Sequence, residues 1–317
     1  MLGATGTIGR ATVAALLRHG YAVVCLLRPR PSGVAPPIEL QGAGLRFGDA
    51  TTTDSVARDG LRGERFDVLL SCLASRTGEP RDAWAVDHRA HLRALDAARA
   101  AGVGHMVLLS AICVQKPRLA FQHAKLAFER VLMDSGLQWT IVRPTAFFKS
   151  LSGQVQRVRA GKPFVVFGDG RLTACKPIAD EDLAEYLADC LDDPARVGCV
   201  LPIGGPGPAI TPREQGDLLF SLLGRPPRYR RVPVAMMDGI VGALSLAERL
   251  LPSLAPKAEF ARIGRYYATE SMLVWDAARG CYDAKATPET GRITLAAHYD
   301  RLLRGEAGAD LGEHAVF

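Results

Sequence analysis

A glycine-rich turn at the start of the chain is the clearest candidate for a ligand-binding element. The segment Gly3-Ala4-Thr5-Gly6-Thr7-Ile8-Gly9 leads directly into an amphipathic helical pattern. Such glycines allow a tight turn, close approach of the backbone to a pyrophosphate, and close packing of the helix on a sheet, while the helix N-terminus attracts the phosphates. The alternative is a purely structural turn. The candidate dinucleotide-binding residues here are Gly3, Thr5, Gly6, Thr7, Ile8 and Gly9.

Two arginines follow the next predicted strand, in Arg28-Pro29-Arg30. A site that prefers NAD usually has an acidic residue at this place, whereas a basic residue suits the extra phosphate of NADP. The sequence therefore predicts NADPH as the cofactor and Arg28 as the phosphate ligand, with a solvated arginine pair as the alternative. Asp49, after the following strand, is a candidate acceptor for the adenine amine, and an Asx turn is the alternative there.

Three later segments, each at the end of a predicted strand, are candidates for the walls of one crevice. Ligands of open α/β sheets bind beyond the carboxyl ends of the strands. The segments are Ser71-Cys72-Leu73-Ala74, Ser110-Ala111 and Arg143-Pro144-Thr145. We expect Cys72, Leu73, Ala74, Pro144 and Thr145 to contact the cofactor. Ser110 is a candidate catalytic residue, and its alternative role is to cap a turn.

Lys125 lies where short-chain dehydrogenases place a lysine that binds the nicotinamide ribose, so it is a candidate for both cofactor binding and catalysis. An exposed helix lysine is the alternative. The usual partner is a tyrosine four residues earlier, and here that residue is Phe121. Phe121 cannot supply a proton, so the standard carbonyl mechanism lacks its general acid. The pattern favours reduction of an activated carbon–carbon double bond or a nucleotide sensor without catalysis.

These residues are placed on an alternation of short apolar runs and amphipathic stretches, which is typical of a parallel α/β sheet. The predicted strands are Ala22–Leu27, Leu45–Phe47, Val68–Cys72, Met106–Ser110 and Thr140–Arg143. The predicted helices are Ile8–His19, Ser55–Gly60, Trp84–Ala101, Phe121–Ser135, Glu181–Leu191, Glu214–Leu223 and Met236–Leu251. We expect a Rossmann-like doubly wound sheet in residues 1–150. Residues 151–317 are expected to form a smaller mixed substrate lobe, with elements that return to the core.

The first strand of this sheet is truncated, because only Met1 and Leu2 precede the glycine turn. That strand is central in a doubly wound sheet, so both of its neighbours would lose hydrogen-bonded partners. From the sequence alone we expect a physiological start several residues upstream.

The composition limits the partners. A net charge of +6 and a pI of about 9.0 favour anionic ligands, but no Lys/Arg run is interleaved with aromatic residues, which argues against nucleic acid.

The seven cysteines form no Cys-x-x-Cys pair, so no metal site is expected, and they favour a reducing cytoplasm. The apolar stretch Val232–Leu254 is interrupted by Asp238, Glu248 and Arg249, and we do not expect it to span a membrane. No obligate protein partner is implied.

Eight long and unusual strings are distributed along the chain: SCLASRTG (71–78), LLSAICVQKP (108–117), FQHAKLAFE (121–129), IVRPTAFFKSL (141–151), FGDGRLTACKPIADEDLA (167–184), LPIGGPGPAITPREQG (201–216), IGRYYATESMLV (263–274) and LGEHAVF (311–317). Together they resemble the divinyl chlorophyllide 8-vinyl reductase family, within the NmrA-like atypical short-chain dehydrogenases. The resemblance implies that NADPH reduces the C8 vinyl group of a Mg-tetrapyrrole to ethyl. Lys125, Ser110, a tyrosine and water stay open as the proton donor.

The implied substrate is a flat aromatic disc with a propionate, which requires an apolar slot with a cation near its rim. Candidate walls are Phe147, Phe148, Tyr266, Tyr267 and Met272, for which packing in the core is the alternative. Arg143, Lys149 or Arg265 are candidates for the carboxylate. Three interpretations of the helix near Met236–Leu251 stay open: a lid over the site, a part of the core, or a surface that associates with the photosynthetic membrane. An isoflavone-reductase-like enzyme and an NADP sensor are the rival functions.

Overall fold

The computed structural model describes residues 1–29 and 35–306, and its centre is a parallel sheet. Arg30 and the string at 311–317 lie outside the described residues. The elements follow in chain order: α1 Thr7–Arg18, β1 Val24–Leu27, β2 Gly44–Phe47, β3 Val68–Ser71, α2 Pro80–Ala83, α3 His91–Ala100, β4 His105–Leu109, α4 Ala120–Met133, β5 Gln138–Pro144, α5 Phe148–Leu151, α6 Val155–Arg159, β6 Phe164–Phe167, α7 Asp180–Asp192, β7 Cys199–Ile203, α8 Pro212–Leu222, β8 Tyr229–Val232, α9 Val234–Leu250, α10 Ala255–Thr269, β9 Val274–Asp276, β10 Cys281–Asp283 and α11 Leu295–Arg304.

The main sheet consists of two parallel parts, β1 with β2 and the series β3-β4-β5-β7. Leu2 joins them, because it forms parallel bridges with Leu26 on one side and Ser71 on the other. Its amide donates to Leu70 O at 3.0 Å, and the Cys72 amide donates to Leu2 O at 3.0 Å. The neighbours of the short first strand therefore keep hydrogen-bonded partners at their carboxyl ends, where the glycine turn begins.

Helices cover both faces of this sheet, as a doubly wound fold requires. On one face α1 packs on α7, and Leu16 and Leu187 share a buried cluster with Val107 of β4. On the other face α3 and α4 bury Leu95 and Phe128 against the sheet. Each fully buried leucine of this kind contributes about 1.5–3 kcal/mol. The predicted Rossmann-like fold is confirmed, and the predicted strands correspond to β1–β5 with ends displaced by two residues or fewer.

The second half of the chain builds a separate apolar cluster and also returns to the sheet. Strands β6 and β8 pair in parallel, and β9 pairs antiparallel with β10. The buried Tyr299 of α11 packs in this cluster with residues of α6 and α8. Strands β6 to β10 and helices α10 and α11 were not predicted from the sequence. The five strands have only three to five residues, too few for an alternating pattern to stand out. β7 extends the main sheet, although it lies beyond residue 150.

The helix α9 differs from the others because none of its residues is buried. It packs lengthwise on α10. Over the ranges 1–29 and 35–306, no helix has both the length and the apolarity needed to cross a membrane.

Candidate cofactor and active site

The glycine turn has the geometry that a pyrophosphate requires. Gly3 has φ +74°, and a Cβ there would stand 2.4 Å from the carbonyl carbon of Cys72. A Cβ at Gly9 would stand 2.0 Å from Gly3 O. Gly6 is exposed, and its Cβ would meet nothing closer than Gly3 O at 3.6 Å. The fold itself therefore requires the first and third glycines, whereas the second keeps space open for a ligand.

The first turn of α1 is open to that ligand. Gly6 is its N-cap, and no side chain caps the helix. Thr5 is exposed and Thr7 half-buried, while Ile8 packs in the core. Backbone N–H groups at such an end have no intrahelical partner and favour an anion. The residues present thus fit a dinucleotide pyrophosphate.

Asp180 lies near this turn, and the sequence analysis did not identify it. Its Oδ1 is buried without a hydrogen-bond partner among the described residues. Burial, with a smaller effect of Glu181, raises the pKa of Asp180 to about 6, although Lys149 and a hydrogen bond with Thr7 act in the opposite direction. A buried carboxyl group that becomes protonated near pH 6 therefore lies beside the start of α1.

Arg28 and Asp49 lie together at the ends of β1 and β2. Arg28 is exposed. Burial alone would raise the pKa of Asp49. The pKa is nevertheless lowered, because Thr51 donates two hydrogen bonds to the carboxylate and the Arg28 guanidinium lies nearby. The Thr51 amide donates to Asp49 Oδ1 at 2.8 Å, so Asp49 forms the Asx turn that was the alternative. A contact with adenine stays a prediction.

The segments after β3 and β5 lie at the same edge of the sheet, because β3, β4 and β5 are parallel. Cys72 and Leu73 are half-buried beside Gly3, and Ala74 is exposed. Pro144 is buried, as is Thr145, whose hydroxyl donates to Lys176 O.

Lys125 is a buried lysine in an ion pair, which excludes the alternative of an exposed helix lysine. Its side chain is 10% exposed, and Nζ lies 2.9 Å from Asp87 Oδ1. Asp87 is fully buried in the helical turn that precedes α3 and packs against α4. The ammonium is therefore held at one place in the crevice.

Ser110 is engaged by a different carboxylate. Its hydroxyl donates to Glu129 Oε1, and the other oxygen of Glu129 is bound by Arg143. Glu129 is buried and lies four residues after Lys125 on α4. Arg143, which was a candidate for the substrate carboxylate, thus forms an ion pair with a residue of its own chain. The i, i+4 spacing of Lys125 and Glu129 was the sequence signal that could have identified this second polar residue.

The predicted substrate walls do not lie together. Tyr266, Tyr267 and Met272 share an apolar cluster with Phe121 and Cys113. The Tyr266 hydroxyl donates to Cys113 O at 2.9 Å. Burial raises the pKa of both tyrosines well above the ordinary range, so their phenols stay protonated.

Phe148 packs elsewhere, in the cluster around Tyr299, with its ring 5.1 Å from that of His298. Phe147 contacts the core beneath the main sheet and bridges to Ile178. Lys149 is half-buried, and Arg265 forms an ion pair with Asp238. Phe148, Tyr266 and Met272 are buried as core residues, which was the alternative, whereas Phe147 and Tyr267 are half-buried. A contact of any of them with the pigment stays a prediction.

Comparisons with known proteins agree with this geometry. Residues 3–194 match the model of a family described as NAD(P)H-binding. The chain is similar to a chloroplastic divinyl chlorophyllide a 8-vinyl-reductase of Oryza sativa subsp. indica, with 49% identity over 327 residues that cover 99% of this chain and 81% of that protein. The reductase of the same name from Cucumis sativus is 47% identical over 330 residues, which cover 100% of this chain and 79% of that protein.

Among solved structures, leucoanthocyanidin reductase with NADPH from Vitis vinifera has a TM-score of 0.69 and 15% identity, over 96% of this chain and 98% of that chain. At this identity the likeness shows the fold.

Proposed function

The chain belongs to the family of divinyl chlorophyllide a 8-vinyl-reductases, and we propose that it is an oxidoreductase that uses NADPH to reduce the 8-vinyl group of divinyl (proto)chlorophyllide to ethyl. The observation that carries the proposal is 47–49% identity over nearly the whole chain. The NAD(P)H-binding family model supports the cofactor.

The reaction adds one hydride and one proton to the vinyl group, and NADPH becomes NADP⁺. When bound, the cofactor supplies the hydride to the terminal vinyl carbon, and the tetrapyrrole delocalises the charge that develops until the inner carbon is protonated. The protein must position the two molecules and exclude water. It needs no strong acid to polarise a carbonyl, which agrees with Phe121 in place of a tyrosine.

One group of the described residues would bind the cofactor, and another would bind the pigment. The open end of α1 would bind the pyrophosphate, Arg28 the extra phosphate, and Lys125 the ribose beside the nicotinamide. The partly exposed Phe121 and Tyr267 would face the macrocycle, with the buried Tyr266 and Met272 packed behind them. Ser110 supports this arrangement through Glu129 and is not free to donate its hydrogen to the pigment.

An optical assay tests the reaction. Mixing the protein, NADPH and divinyl chlorophyllide should move the Soret band to shorter wavelength as one conjugated vinyl group is lost, with one NADPH consumed per pigment. Nucleotide binding with no Soret shift would refute the reductase and favour an NADP sensor.

We also propose that α9 places the enzyme on an anionic membrane surface. The side of α9 that faces solvent is apolar at spacings of three and four residues: Met236, Gly239, Ile240, Ala243, Leu246 and Leu250 are all exposed. Leu246 is 64% and Leu250 80% exposed. Two of its three charged residues pair with α10, Glu248 with Arg262 and Asp238 with Arg265, and Arg249 is exposed at the C-terminal end of the helix. A solvent-facing side that is mainly apolar is unusual for a helix on a soluble surface and suits an interfacial helix.

The charges beside α9 favour anionic lipid as the occupant. Arg230 and Arg231 precede the helix, and Arg249 and Lys257 lie at its far end, all exposed. Within the part of the chain that the structure describes, no carboxylate forms an ion pair with any of these four. Cations around an apolar face attract anionic headgroups at short range.

Co-sedimentation with vesicles tests this surface. The protein should bind phosphatidylcholine vesicles that contain phosphatidylglycerol, more weakly at high salt, and Ile240→Glu with Leu246→Glu should abolish binding. The matched control is Val131→Glu with Leu222→Glu, two exposed positions on other helices. Equal binding by both double variants would refute the proposal, as would conversion of a dimer to a monomer by the α9 changes, which would indicate a second copy as the occupant.

A further inference from the structure

Asp87 lies on an irregular turn beside the crevice. Between α2 and α3 the helix is π-helical from Trp84 to Ala90, and Asp87 lies at the middle of this segment. Such wide turns are rare and occur frequently at functional sites, because they change the direction in which a side chain points. The turn carries a carboxylate that is 0% exposed.

The contacts of Asp87 are directed at the crevice. Its Oδ1 lies 2.9 Å from Lys125 Nζ and accepts a hydrogen bond from the Ser75 amide at 3.3 Å. Its Oδ2 is buried with no hydrogen-bond partner among the described residues. Buried carboxylates that only support a fold normally have both oxygens satisfied. Asp87 instead holds one lysine and the segment that follows Ala74.

The nearby imidazole of His91 is neutral and does not form an ion pair with the Asp87 carboxylate. Burial, together with the Lys125 charge, lowers the pKa of His91 to about 4, so the ring is neutral at pH 7. His91 Nδ1 lies 2.9 Å from Val86 O, and Nε2 lies 2.8 Å from Ser71 Oγ. The ring therefore connects the π-helical segment to the end of β3 and stabilises the position of Asp87.

We infer that Asp87 is a positioning residue that fixes the ammonium of Lys125 where the nicotinamide ribose binds. This inference rests on the proposed function, because the ribose contact of Lys125 is part of it. A lysine stem has several rotatable bonds, and one ion pair in a dry site selects a single arrangement. Removal of one member of a buried pair leaves the other charge uncompensated, so the lysine should leave its place.

A double-mutant cycle tests the inference with cofactor binding as the readout. The variants are Asp87→Asn, Lys125→Met and the two together, with Asp96→Asn, an exposed acid on the same helix, as the matched control. NADPH fluorescence gives the Kd without pigment, and steady-state turnover gives kcat and both KM values. We expect Asp87→Asn to raise the NADPH Kd about tenfold, with the pigment KM unchanged and the control like the parent.

In the Lys125→Met background, Asp87→Asn should change the NADPH Kd by less than about twofold, because the residue that it positions is gone. If the two substitutions raise the NADPH Kd by independent factors that multiply in the double variant, the inference is overturned. It is also overturned if Asp87→Asn lowers the thermal stability and leaves the NADPH Kd unchanged. If Asp87→Asn alone fails to fold, Asp87→Glu takes its place in the cycle, and an NADPH Kd of the double variant more than about twofold above that of Lys125→Met overturns the inference. Absence of vinyl reduction by the parent protein would refute the proposed function and leave the binding cycle valid.

Discussion

Replacement of Ser110 by alanine should weaken the fold without stopping vinyl reduction. The hydroxyl donates to the buried carboxylate of Glu129, which also binds Arg143. The change leaves Glu129 Oε1 with a single longer contact, from Arg143 Nε at 3.3 Å. Because this hydrogen is already committed to a carboxylate, it is unavailable to the pigment.

The size of the effect follows from the charge of the acceptor. A hydrogen bond to a charged group contributes about 1.5–3 kcal/mol. An unfolding entropy of roughly 2.1 cal/mol/K per residue gives about 0.7 kcal/mol/K for this chain, so Tm should fall by about 2–4 °C. We expect kcat to stay within about threefold of the parent value, because a lost general acid would cost about 10²–10⁴.

Differential scanning calorimetry and the Soret assay measure the two quantities on one preparation. The matched control is Ser152→Ala, since this buried hydroxyl donates to Phe148 O at 2.8 Å and lies 3.0 Å from His298 Nε2, both neutral partners. Two neutral hydrogen bonds contribute about 0.5–1.5 kcal/mol each, so the control should also lose about 2–4 °C, with kcat unchanged. A hundredfold fall in kcat for Ser110→Ala with an unchanged Tm would show that the hydroxyl takes part in the reaction, and the reasoning would be wrong.

Four further variants test the cofactor site. Arg28→Glu should raise the KM for NADPH much more than that for NADH in the steady-state assay, and equal effects would contradict its assignment. Gly6→Ala should preserve Tm and raise the NADPH Kd at least about tenfold, whereas Gly9→Ala should lower Tm, because its methyl group would stand 2.0 Å from Gly3 O. The pKa of Asp180 is raised to about 6 in the fold, so its contribution to stability is present below about pH 4 and lost as the pH rises through 6. Asp180→Asn should therefore stabilise the protein by about 1–3 kcal/mol at pH 7 and by nothing at pH 4 in denaturant titrations.

The fold and the cofactor loop could be predicted because their signals are local. Alternating apolar runs and amphipathic stretches determine strands and helices through the spacing of neighbouring residues, and β1 to β5 lie where the pattern placed them. The glycine turn is recognisable because each glycine meets a steric or ligand requirement at a fixed spacing. Residues after β5 were harder to place, because short strands such as β9 have too few residues for a period to be visible.

The amino-acid sequence by itself determined the doubly wound sheet, the dinucleotide loop, the absence of a tyrosine at 121 and the family, which the full-length similarity confirms. Only the tertiary structure decided that Lys125 pairs with Asp87, that Ser110 is bound to Glu129, and that Phe148 packs away from Tyr266. Such contacts join elements that are distant along the chain. They depend on how helices cross the sheet and on which side chains become buried together, and no local spacing encodes either.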